Sequence, residues 1–97
     1  MIKYLENSED FEKEIQSGKV LVDFYADWCG PCQALGQILE ELEGVPVLKI
    51  NVDTFAEIAQ EFGVMSIPTI ILFQDGEQVK KNVGLVSLEE LKSFVGL

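Results

Sequence analysis

The stretch "VDFYADWCGPCQAL", Val22 to Leu35, decides the fold. It starts inside a β-rich, nearly continuous apolar run, "KVLVDFYA", the pattern of a central strand covered on both faces and broken by one acid, Asp23. Trp28, Cys29, Gly30, Pro31 and Cys32 follow; these are the only tryptophan and the only two cysteines of the chain. From Pro31 to Glu43 the apolar positions Ala34, Leu35, Ile38, Leu39 and Leu42 keep the helical period, and Gly44 ends it. A strand thus runs into a helix that opens on C-x-x-C. Thiols at that spacing serve as a structural staple, half of a metal site, or a working redox pair.

Outward from this unit, helices and strands alternate. "IKYL" reads as an edge strand. "NSEDFEKEIQSG" reads as a helix capped by Asn7 or Ser8, with acids in its first turn, Phe11 and Ile15 on one face, and Gly18 at its end. "VPVLKINVD" is a second buried strand, and "TFAEIAQEFG" a helix capped by Asp53 or Thr54 and ended by Gly63. "PTIILFQ" and "EQVKKNV" flank Asp75-Gly76, the signal of a type I′ hairpin turn. "SLEELKSFVGL" opens on a capping box, Ser87 with Glu90. The order β α β α β α β β α predicts an α/β fold with helices on both faces of a mixed sheet. Its 97 residues make one domain, 1–97.

Composition narrows the function. Apolar residues make up 47% of the chain, so a packed core is expected. Seven lysines, no arginine and seventeen acids give a net charge of −10, which argues against nucleic acid or an anionic membrane as partner. The acidity serves solubility, or steering toward partners with a basic face. No signal peptide, sequon or run of about 20 apolar residues is visible, so a cytoplasmic, reducing compartment is expected, and so acidic a surface predicts a monomer.

That setting disfavours a permanent disulfide, and a bridge closing so short a loop would add little stability in any case. Zinc or an iron–sulfur cluster requires about four ligands, whereas the chain has one cysteine pair and no histidine. No metal is therefore expected, unless two chains share it, and the redox pair remains. Cys29, near a helix N-terminus, gains thiolate character from unpaired N–H groups and the helix dipole. Cys32, one turn on and more buried, stays protonated until it resolves a mixed disulfide on Cys29. Gly30 permits close approach of another chain, and Pro31 sits where its missing N–H costs nothing.

"VDFYADWCGPC" resembles the active-site signature of the thioredoxin family, and "SIPT" and "VGLVS" match further family positions. The resemblance covers essentially the whole chain. It implies the thioredoxin fold, a three-layer α/β/α sandwich with a central mixed five-stranded sheet and four helices. It also implies a protein-disulfide reductase without bound cofactor, acting on substrate proteins with disulfides and recycled by a thioredoxin reductase. By resemblance Cys29 is the nucleophile and Cys32 the resolving thiol, and Trp28 packs beside them on the surface that meets substrate. Asp23 is the proton acceptor for Cys32, with Lys49 near it; the alternatives are an exposed edge acid or a structural ion pair with Lys49. Pro68 is cis and faces the disulfide, while Ile67 offers backbone polar groups to an extended substrate chain; Val83, Gly84 and Leu85 complete that rim.

Three departures from the family pattern stand out. Gln33 replaces the usual lysine or arginine, which makes Cys29 slightly less acidic. Gln37 replaces a helix-kinking proline, so the helix runs straighter or bends less sharply near Gly36. Tyr25 stands where many members carry tryptophan. Two rivals to the reductase reading are a glutathione-linked, glutaredoxin-like oxidoreductase and a binding or scaffold module with idle thiols.

Overall fold

The computed structural model describes residues 1–97. The elements run β1 (Ile2–Tyr4), a 3₁₀ turn (Ser8–Asp10), α1 (Phe11–Ile15), β2 (Lys19–Tyr25), α2 (Gly30–Glu40) and β3 (Val47–Asn51). Then come α3 (Ala56–Glu61), β4 (Thr69–Gln74), β5 (Glu77–Val83) and α4 (Leu88–Val95). The expected order is borne out, and the strands form one sheet in the order β1-β3-β2-β4-β5. β3 lies parallel to β1 and β2, as helical crossovers require. β4 is antiparallel to β2, and the hairpin adds β5 at the edge.

β2 runs through the middle of this sheet, and strand alternation assigns its side chains to two cores. Val20, Val22 and Phe24 pack with Phe11, Ile15, Ile58 and Ala59, the buried faces of α1 and α3. Leu21 packs on the other face with Leu35, Leu39, Leu91 and Val95 from α2 and α4. Burial of each Leu or Phe contributes about 1.5–3 kcal/mol, so both faces hold their helices firmly. Asp23 falls on the α2 and α4 side with Leu21. Its carboxylate therefore enters an apolar layer.

Local chemistry explains where the elements begin and end. Asp75 and Gly76 take φ of +52° and +88°, the paired left-handed conformation of a type I′ turn. In the α4 capping box the Ser87 hydroxyl accepts from Glu90 N–H while the Glu90 carboxylate accepts from Ser87 N–H.

Three expected boundaries move. α2 stops at Glu40, not Glu43, because Glu41 and Leu42 donate to the carbonyls of Ile38 and Leu39, a tightened last turn that drives Leu42 into the core. The first helix splits into a 3₁₀ turn and a short α1, and neither Asn7 nor Asp10 caps it through a side chain. α3 starts at Ala56, not at Thr54. The Asn51 side chain accepts from the N–H of Asp53 (2.8 Å) and Thr54 (3.3 Å), an Asx turn that takes the place of the expected cap.

Candidate functional site

The C-terminal ends of β2 and β3 and the start of β4 converge at one edge of the molecule. The chain leaves β2 at Tyr25, whose carbonyl accepts from Val52 N–H (2.9 Å) and ties the two strand ends together. Cys29 N–H then donates to Ala26 O (3.3 Å), turning the chain so that Cys29 becomes the N-cap of α2. Its sulfur accepts from Cys32 N–H at 3.2 Å. A helix N-terminus thus places a donor directly on the Cys29 sulfur, where it stabilises negative charge. The two cysteines are joined as a disulfide with Cα atoms 5.2 Å apart. Cys29 is 5% exposed and Cys32 3%, so the expected contrast in burial is slight. Gln33, in place of a basic residue, donates from Nε2 to Asp27 O (3.0 Å) and braces the loop before the cysteines.

Gly30 borders open space: a methyl there would meet nothing within 4 Å. Trp28 is 70% exposed and lies outside both apolar cores. Its indole N–H donates to Asp53 Oδ2 (2.9 Å), fixing the ring on the surface. In the sequence Asp53 presents only as a possible helix cap. The signal that finds it is Asn51 followed by Asp53 and Thr54, an Asx turn that aims the Asp53 carboxylate back toward β2.

The peptide bond Ile67–Pro68 is cis. The Ile67 carbonyl lies 3.8 Å from Cys29 Sγ. Pro68 O accepts from Gly84 N–H (2.8 Å), which brings Val83, Gly84 and Leu85 alongside. Gly84 takes φ of +104°, open to glycine and strained for any other residue. Val83 and Leu85 are exposed, as is Met65. Ile67 packs against the nearly buried disulfide, and Gly84, next to exposed Val83 and Leu85, is tied to Pro68.

Asp23 and Lys49 lie on paired positions of β2 and β3. Asp23 is fully buried, so it is not an edge acid, and neither carboxylate oxygen accepts a hydrogen bond from the protein. Lys49 Nζ approaches Asp23 Oδ2 at 3.7 Å, a charge contact longer than a hydrogen bond. Burial pushes the Asp23 carboxyl up from 3.8 to about 6, against the opposing pull of the Lys49 charge. Burial, then the nearby Asp27 charge, raises the Tyr25 hydroxyl above its ordinary value. A cleft of about 210 Å³ lined by Tyr4, Tyr25, Ala26, Asp27, Cys32, Gln33 and Lys49 opens from solvent to both Cys32 and the lysine. No three Cys, Asp or Glu side chains converge as a metal site, and no helix is long and apolar enough to cross a membrane.

Comparison with known proteins agrees with this geometry. A family model described as Thioredoxin matches residues 2–96. A thioredoxin of Chlamydia pneumoniae is 48% identical over 98% of this chain and 96% of its own. One of Staphylococcus haemolyticus is 49% identical over 84% of each chain. Among solved structures, a mutant thioredoxin from Halobacterium salinarum superposes with a TM-score of 0.89 at 40% identity, covering 97% of this chain and 87% of its own.

Proposed function

The chain belongs to the thioredoxin family and is a protein-disulfide reductase, and from that premise we propose how its residues divide the work. The Cys29 thiolate attacks one sulfur of a substrate disulfide. A mixed disulfide forms at Cys29 Sγ, and the other substrate sulfur leaves as a thiolate that takes up a proton. Cys32 then loses its proton and attacks Cys29 Sγ, releasing the second substrate thiol and closing the Cys29–Cys32 disulfide. Two electrons pass to the substrate and none remain on the protein.

The observation that carries this assignment is the Cys32 N–H held on Cys29 Sγ at the start of α2. Only the first cysteine has that donor, so its thiolate is the one favoured at neutral pH. Asp23 accepts the Cys32 proton through water in the adjoining cleft, since a carboxylate whose pKa burial raises to about 6 is a stronger base than an ordinary one. Lys49 stabilises the ionised carboxylate.

The substrate docks as an extended segment along Ile67 and Pro68, using backbone groups beside the disulfide, with Trp28, Val83, Gly84 and Leu85 as walls. A thioredoxin reductase is the electron donor that returns the disulfide to the dithiol. The protein works in this reading as a cytoplasmic monomer of one domain with no bound cofactor; its acidic charge supports a soluble carrier that avoids nucleic acid and anionic membranes.

An equilibrium titration of the Cys29–Cys32 couple against glutathione, followed by Trp28 fluorescence, tests this reading. A midpoint well below the glutathione couple is expected. A midpoint at or above it, or turnover with glutathione as sole reductant, would place the protein among glutathione-linked oxidoreductases.

A further inference from the structure

Lys49 is the central member of a row across the sheet. It pairs with Asp23 on β2 and with Tyr4 on β1, so the three side chains emerge side by side on one face. Tyr25, two positions beyond Asp23 on β2, joins them there. The Lys49 ammonium is enclosed accordingly. Its Nζ lies 4.6 Å from the centroid of the Tyr25 ring and 5.5 Å from that of Tyr4. The two rings meet edge to face at 6.0 Å and 81°. On the helix side, a methyl at Gly36 would come within 3.3 Å of Nζ, so a residue without a side chain makes room for it.

We propose that Tyr4 is a positioning residue for disulfide exchange: its ring closes the solvent side of Lys49 and keeps that ammonium against Asp23. Three features require such a wall. Lys49 is a long, flexible side chain that would otherwise extend toward water. At 3.7 Å its contact with Asp23 has no hydrogen-bond geometry to hold it. The cleft that reaches it opens past Tyr4 itself, which lies 55% exposed on the edge strand. Attraction between an ammonium and a ring face supplies the missing restraint at these distances.

The charged and titratable groups facing the Asp23–Lys49 pair are few. β1 contributes Tyr4, β2 contributes Tyr25, the connection to α2 contributes Asp27, and α2 contributes Cys32 beside neutral Gln33 and Gly36. β4 places Ile70 opposite Asp23, and α4 turns Leu91 and Val95 to this face. Lys49 is thus the sole cation acting on the carboxylate, and any outward movement raises the pH at which Asp23 ionises.

The proposal rests on Asp23 being the proton acceptor, and two readouts separate the claims. The first is the carboxyl-carbon NMR titration of Asp23 in the oxidised protein, assigned with Asp23→Asn, for the parent, Tyr4→Leu and Tyr4→Phe. Loss of the ring is expected to raise the Asp23 titration by roughly half a pH unit, while Tyr4→Phe leaves it in place. An unchanged titration in Tyr4→Leu, or an equal rise in Tyr4→Phe, would overturn the role of the ring. The second is the pH profile of substrate-disulfide reduction, expected to move by the same amount in Tyr4→Leu. A carboxyl that moves while the profile does not would leave Tyr4 holding Lys49 but remove both Asp23 and Tyr4 from the reaction.

Discussion

Asp23 is a carboxyl group enclosed in an apolar layer, and its ionisation therefore works against the fold. Its folded value of about 6 lies above the ordinary 3.8. Between those values the folded chain keeps a proton that the unfolded chain has released, so stability falls as pH rises through the window. The full cost is present above it. Asp23→Asn is accordingly expected to raise unfolding stability by about 1–3 kcal/mol near pH 8 and to change it little near pH 4. Denaturant unfolding at the two pH values checks this; a variant destabilised at both would show that the ion pair with Lys49 outweighs desolvation. A buried group that costs stability calls for another use, and the proposed proton transfer from Cys32 supplies one. On the surface, Asp53 holds the Trp28 indole N–H. Asp53→Ala should loosen the ring, lowering its fluorescence anisotropy and raising KM for protein substrates, with kcat nearly unchanged.

At the scale of elements, the helix and hairpin ends carry measurable weight. Ser87 caps α4 in both directions, so Ser87→Ala should cost about 1 kcal/mol, read as a lower denaturation midpoint without loss of reductase activity. Gly84→Ala is different: its φ of +104° strains a side chain, and its N–H anchors the Pro68 carbonyl. It should lose more than about 1 kcal/mol and also weaken substrate binding, which a KM measurement detects. These elements differ in how well the sequence announces them. The β2–α2 unit, the Asp75-Gly76 turn and the capping box are written in local patterns, because each depends on residues within one turn or hairpin. The end of α2 and the start of α3 are not, since they depend on how Leu42 packs and on where the Asn51 side chain turns. The Cys29–Cys32 pair is legible from its spacing, and the N–H donor on Cys29 from its place at the start of a helix. Asp53 and Tyr4 escape notice because each is brought to the site by another strand, through a turn in one case and a sheet register in the other.

Across the whole molecule, strand order places the reactive disulfide, the cis-proline rim and the Asp23–Lys49 pair at one end of a rigid sheet, with apolar cores on both faces. Chemistry is confined to that end, and the remaining surface is left to charge. A net charge of −10 steers basic partners and repels acidic ones. Reduction of a disulfide substrate with a basic surface should therefore slow roughly tenfold as ionic strength rises from about 0.01 to 0.15 M, while a neutral substrate is little affected. Equal salt dependence for both would remove steering as the use of that charge.

The division of labour between the two sulfurs is the centre of this account, and trapping the covalent intermediate tests it most directly. Reduced Cys32→Ser and Cys29→Ser variants are each mixed with a disulfide-containing protein, and the products are separated without reductant. Cys32→Ser is predicted to accumulate a mixed disulfide at Cys29 that added dithiol releases, and Cys29→Ser to form none at a comparable rate. A stable adduct at Cys32 in the Cys29→Ser variant, formed as fast as the other, would contradict it.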